Sequence, residues 1–124
     1  MVMLLMPIRP EHVNNIFAGM KKFEFRKTKC RRKIDGILIY ATSPVKRIVG
    51  EAEVTNIVVG SPTSVWEQTS HSAGIGRHYF NQYYQDRHIA VAYALGEVIK
   101  YTQPLKLNDF GLKYAPQSYA YIEI

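Results

Sequence analysis

Hydrophobic and polar positions change rhythm several times along this chain, and each change marks an element. Residues 2–8 form a nearly continuous apolar run, the pattern of a strand covered on both faces. Pro10 then suits a first helical position, where its missing N–H would lack a partner anyway. Val13, Ile16 and Phe17 recur at the three-and-four spacing of a helix packed on a core, predicting a short helix over residues 11–18. His12 and Asn15 lie elsewhere on it, and a solvated histidine is the plain reading, a histidine near a cleft the sharper one. Gly19 stops the helix, because glycine readily takes the left-handed conformation that closes one. From Lys22 the period becomes two and predicts a strand over residues 22–28. Phe23 and Phe25 point to one side and can seal a core. Lys22, Glu24 and Arg26 point to the other, either as a solvated face of compensating charges or as a carboxylate held between cations.

Further on, residues 29–33 are too charged for a core and read as a mobile loop, followed by a turn at Asp35-Gly36. Residues 37–42 are β-prone and mostly apolar, as in a central strand. Residues 47–59 predict another strand, with Gly50 marking a bulge or a close backbone approach. Ser61 caps a second helix that Pro62 opens, with Val65 and Trp66 facing inward. Residues 69–76 read as a loop and residues 77–84 as a helix. The aromatics of that helix, Tyr79, Phe80, Tyr83 and Tyr84, either anchor it to the sheet or offer stacking faces to bases. Residues 88–98 predict a long strand with Gly96 as a second bulge, residues 104–116 an irregular connection, and residues 119–124 a closing strand. The sum is about six strands and two or three short helices, a mainly β α+β domain spanning residues 1–124. Periodicity alone leaves a small barrel and an α+β sandwich equally open.

Charge sharpens this picture. The formal net charge is +6 and the pI about 9.5, which suits a polyanionic partner. Lys21, Lys22, Arg26, Lys27, Lys29, Arg31, Arg32 and Lys33 are eight of the sixteen basic residues, with only Glu24 opposing them in that run. Cys30 is the only cysteine, so no intrachain disulfide forms, as expected of a reducing, cytoplasmic setting. It is an incidental loop cysteine or, if exposed among its cations, a reactive thiol. The apolar start is too short to span a bilayer and lacks signal-peptide features, so no membrane partner is expected. No phosphate-binding glycine loop is present, and His12, His71, His78 and His88 lack zinc-ligand spacing, so no cofactor or resident metal is expected.

Gly19, Lys21, Glu24 and Arg26 match G-x-K-x-x-E-x-R, and here the sequence resembles the ASCH domain (activating signal cointegrator homology), a branch of the PUA-like β-barrels. Ile8-Arg9-Pro10, residues 39–44 and Pro116-Gln117-Ser118 are similar to other stretches of that family. The resemblance implies a small PUA-like barrel of about six strands, with the helical segment of residues 61–84 outside it. It also implies a cleft beside the barrel that receives RNA or a single modified base. By position, Lys21, Glu24 and Arg26 would lie on its floor, with Arg9, Tyr40, Ser43, Lys46, Gln117 and Ser118 lining it. For Ser43 and Ser118, turn and strand-end chemistry is the plainer role.

Three functions follow from the net charge, the basic run and that resemblance taken together. The first is nucleic-acid binding, RNA above all, with Lys27, Lys29, Arg31 and Arg32 as a basic patch. The second is a small hydrolase. It would be a ribonuclease with Lys21 and Glu24 as catalytic groups, assisted by a tyrosine or serine and in some forms by a transient magnesium or manganese ion. Alternatively it would be an amidohydrolase on modified nucleobases or nucleosides. In the related amidohydrolases a threonine nucleophile stands where this chain has Glu24, which counts against the amide route. The third is a non-catalytic regulator that binds a nucleobase-like ligand or a protein.

Overall fold

The computed structural model describes residues 1–124. Six strands form one sheet: β1 (Val2–Ile8), β2 (Phe23–Arg26), β3 (Gly36–Ala41), β4 (Arg47–Gly60), β5 (Ala90–Leu105) and β6 (Ala120–Glu123). Helix α1 (Pro10–Phe17) follows β1, while α2 (Pro62–Thr69) and α3 (Arg77–Tyr83) lie between β4 and β5. The predicted punctuation is present. Pro10 opens α1, Gly19 has a φ of 78° just past its end, and the Ser61 hydroxyl accepts the Ser64 N–H at 3.2 Å.

Across the sheet the order is β2-β5-β4-β3-β1-β6, with β1 and β3 parallel and the other pairs antiparallel. The mainly β fold of six strands is as expected, and the sheet is open where a barrel would close: β2 and β6 are free edges. Each has four residues, and β6 covers only Val2 to Leu5 of β1. The far half of β1 therefore faces β2 across a gap. The sheet still curls enough for side chains to bridge it, as Arg26 does.

Alternation along the strands sorts the apolar residues into three clusters. Leu4, Met6 and Ile8 of β1 join Ile37, Ile39, Val91 and Tyr93 inside the curl, where Val13 and Ile16 of α1 plug one end. Met3 and Leu5 face outward with Leu38, Tyr40 and Ile48, beneath the irregular connection that carries Leu107, Phe110 and Leu112. This is why the first strand is apolar on both faces. Phe25 packs with Val65, Phe80, Tyr84 and Ala92 under α2 and α3. Bulges occur near Gly50 and Gly96 as expected, where β4 and β5 change register. A Cβ at Gly50 would collide with the Ile99 carbonyl and the Phe17 ring, so both readings of that glycine hold.

The basic loop differs from expectation. Cys30 and Ile34 are buried in the main core. The Cys30 N–H donates to the Tyr93 hydroxyl at 2.9 Å, and the Arg31 and Arg32 N–H groups both donate to the Tyr121 hydroxyl. Two tyrosines thus pin the backbone while the cations point outward. The buried Cys30 is a packing residue and not an exposed thiol.

Candidate functional site

The gap between β1 and β2 opens into a cleft of about 190 Å³. Its floor is made where α1 hands over to β2. After Gly19 the chain turns back, and Lys21 and Lys22 are fixed by N–H bonds to Asn15 and Ser72 carbonyls. Lys21 is thereby buried, at 3% exposure. Its ammonium donates to the Ala73 carbonyl at 3.1 Å and stands 4.7 Å from the centroid of the Phe25 ring. Burial holds the Lys21 amine below its ordinary value, against the opposing pull of Glu24. Gly74, at a φ of 69°, lies directly against the Lys21 side chain, and a Cβ there would overlap it.

Glu24 and Arg26 lie on the strand face opposite Phe23 and Phe25, as alternation requires. That face is not solvated. Glu24 is 6% exposed, and Arg26 Nη1 donates to its Oε2 at 3.1 Å. The same guanidinium donates to the Pro7 carbonyl at 3.2 Å and to the Ser118 carbonyl. Arg26 is therefore chiefly a clasp across the gap, where backbone pairing has run out. Glu24 keeps Oε1 uncommitted.

Above this floor stand His12, Ile75, Tyr79 and Tyr83, with Arg9 at the edge beside Ile8. Arg9 is exposed and loosely paired with Glu11 at 3.8 Å. The aromatics of α3 divide by face. Phe80 and Tyr84 are buried, whereas Tyr79 and Tyr83 line the cleft. Anchoring and cleft lining are both present, on adjacent stripes of one helix. The pairs 79/83 and 80/84, each four apart, were the signal in the sequence that could have separated the two roles.

Of the residues proposed for the cleft from the sequence, Arg9, Lys21, Glu24 and Arg26 come together around it. Tyr40, Ser43, Lys46 and Gln117 do not line it. Tyr40 packs in the outer cluster, because its parity on β3 is opposite to that of Ile39 and Ala41. It pairs with Pro7 in register, so it lies one strand behind the cleft wall. Ser43 and Lys46 are exposed in the turn after β3, and Gln117 is exposed before β6. Ser118 meets the site through its backbone alone, as an acceptor for Arg26. In the basic run, Lys27, Lys29 and Arg31 are exposed, with the Lys27 ammonium 4.7 Å from the Tyr83 ring centroid. Arg32 is committed to the fold, bonded to Glu123 at 2.7 Å and stacked on Tyr121. No three His, Cys, Asp or Glu side chains cluster in a way that could hold a metal ion, and no helix is long and apolar enough to cross a membrane.

Against known proteins, the ASCH domain family model matches residues 6–103. Large ribosomal subunit protein uL22 of Ureaplasma parvum serovar 3 is 26% identical over 121 residues, which is 97% of this chain and 39% of that protein. This chain thus spans about two fifths of that relative's length. An ASCH domain-containing ribonuclease of Zymomonas mobilis is 31% identical over 87 residues, 69% of this chain and 59% of that protein. The crystal structure of ASCH from Zymomonas mobilis superposes with a TM-score of 0.87 at 25% identity, covering 98% of this chain and 87% of that one.

Proposed function

This chain belongs to the ASCH domain family, and from that premise we propose that it binds single-stranded RNA, with one unpaired base or its adjoining phosphate in the cleft. The observation that carries this reading is the meeting of a buried cation, a half-committed carboxylate and two tyrosine faces in one small opening. The volume is below the roughly 300–1,000 Å³ of sites that enclose a whole drug-sized ligand. It suits one splayed nucleotide better than a duplex, whose bases are already stacked and paired. Tyrosine rings stack on bases. Glu24 Oε1 accepts from a base N–H edge, and the remaining N–H groups of Lys21 suit a phosphate or carbonyl oxygen. Arg9 at the cleft edge, and Lys27, Lys29 and Arg31 outside it, offer exposed charge to the backbone on either side.

A second reading is cleavage of that RNA, favoured by the ribonuclease relative. Lys21 would stabilise charge developing on the phosphorus oxygens in the transition state. Tyr83 lines the cleft and carries a hydroxyl that would assist. The amide route is less supported, since Glu24 is held by Arg26 and offers no hydroxyl nucleophile.

The test is incubation with mixed-sequence single-stranded RNA, with and without a divalent-metal chelator, following both gel shift and product. A shift that no duplex of equal length reproduces supports binding. Lys21→Met keeps the stem and removes the charge. If the chain only binds, that variant should lose roughly 1.5–3 kcal/mol of affinity, typical of a charged hydrogen bond. If it cleaves, turnover should disappear with affinity nearly intact. Failure of wild type to shift any single strand rejects both readings.

A further inference from the structure

Two residues of the cleft, His12 and Tyr79, bond to each other and not to the floor. His12 Nε2 and the Tyr79 hydroxyl are 3.1 Å apart, the one side-chain hydrogen bond that joins α1 to α3. Their rings meet edge to face at 5.4 Å. The contact closes over the imidazole from the α3 side. Its other nitrogen, Nδ1, is buried with no partner at all, an arrangement that costs stability unless something else completes it.

The two partners are held very differently. His12 sits on α1, which Val13 and Ile16 root in the main core. Tyr79 is among the exposed large side chains and projects from a seven-residue helix whose buried contacts are made by Phe80 and Tyr84. It belongs to none of the core clusters and is held by its ring contact and hydrogen bond with His12. Tyr83 is the fixed wall by comparison, with Tyr84 against one side and Lys27 over its ring.

We propose that Tyr79 is a displaceable cover over His12, and that an unpaired nucleobase admitted to the cleft replaces it as the imidazole's hydrogen-bonding partner. This rests on the single-stranded RNA reading above. The exchange trades one hydrogen bond on Nε2 for another, so that nitrogen is never left without a partner. Nε2 of a neutral imidazole donates or accepts according to the tautomer, so it can meet either kind of group on a base edge. Burial first, then Lys21 and Arg9, favour that neutral form, while Glu24 and Glu11 oppose it. Once displaced, the Tyr79 ring is free to cover the inserted base opposite Tyr83.

The experiment compares a short uridine oligomer with an abasic oligomer of equal length and charge, by fluorescence anisotropy at one salt concentration. Wild type should prefer the uridine oligomer by at least roughly fivefold, the size of one ordinary hydrogen bond. His12→Ala should bring uridine affinity down towards that of the abasic oligomer, and His12→Gln, which keeps a hydrogen-bonding group, should recover part of the preference. Tyr79→Phe keeps the ring but no longer competes for the imidazole, so it should tighten uridine binding. Weaker uridine binding by Tyr79→Phe overturns the cover, and an equal loss on both oligomers in His12→Ala and His12→Gln overturns the role of His12. Equal affinity of wild type for the two oligomers overturns base insertion while leaving RNA binding intact. No binding of either rejects the RNA reading itself.

Discussion

Arg26 on β2 donates its guanidinium to the backbone carbonyl of Ser118, a residue 92 positions later in the chain. The bond spans the gap at which the sheet fails to close. A second nitrogen of the same group serves Pro7 on β1 and Glu24 beside it. One side chain thus does there what a strand ladder does elsewhere, and it holds the carboxylate of the cleft in place as it does so.

Arg26→Ala should therefore destabilise the fold. It leaves Glu24 buried without its cation, a class of change that costs about 3–5 kcal/mol. Arg26→Lys should recover less than half, because one ammonium cannot fork between acceptors on three segments. Urea denaturation of the three proteins checks this. Equal midpoints would mean that the clasp contributes nothing.

Gly74→Ala tests how Lys21 is placed. The substitution meets both a φ of 69° and the Lys21 side chain, so it should cost about 2 kcal/mol or more of stability. It should also weaken RNA binding, since Lys21 must shift. Gly76→Ala is the control, with open space where its Cβ would go; as the N-cap of α3 it should cost a little stability and leave RNA binding unchanged.

The pinned loop predicts an uneven salt response. Lys29 and Arg31 are exposed, and neutralising either should reduce the salt slope of single-strand binding by about 0.7 for each phosphate it engages. Arg32 is bonded to Glu123 and stacked on Tyr121. Arg32→Gln should leave that slope nearly unchanged. Binding measured across a range of potassium chloride concentrations separates the two groups.

His12 carries a pH dependence of definite sign. Burial, then the charge of Lys21, holds it below the ordinary histidine value of 6.5, and Glu24 and Glu11 only partly offset this. As pH falls, the unfolded chain takes up the proton first, so this contribution is complete above the unfolded value and is lost as pH drops through the folded one. Denaturation midpoints between about pH 7.5 and about pH 5 should fall more steeply in wild type than in His12→Gln.

Much of the framework is legible in the sequence because it depends on near neighbours. The apolar run of residues 2–8, the turn at Gly19, the Ser61-Pro62 cap and the alternation from Phe23 to Arg26 each specify an element or a face through local geometry alone. That local geometry also placed Lys21, Glu24 and Arg26 at one junction, and the resemblance to ASCH domains came from the same residues. What local pattern could not specify were partners tens of residues away. Whether the face of Glu24 and Arg26 meets water or the carbonyls of Pro7 and Ser118 depends on the order and curl of the sheet. So does whether the basic run swings free or is tied down by Tyr93 and Tyr121. The same holds for Tyr79 and Tyr83, which the folded chain turns towards the cleft and away from the core.

The physical reason is one of range. A period of two or of three to four sets which side a residue faces relative to its neighbours in the chain. What lies on that side is set by contacts between segments far apart in sequence. The gap between β1 and β2 exists because β6 stops at Leu5, and only the folded sheet decides that Arg26 is the group that bridges it.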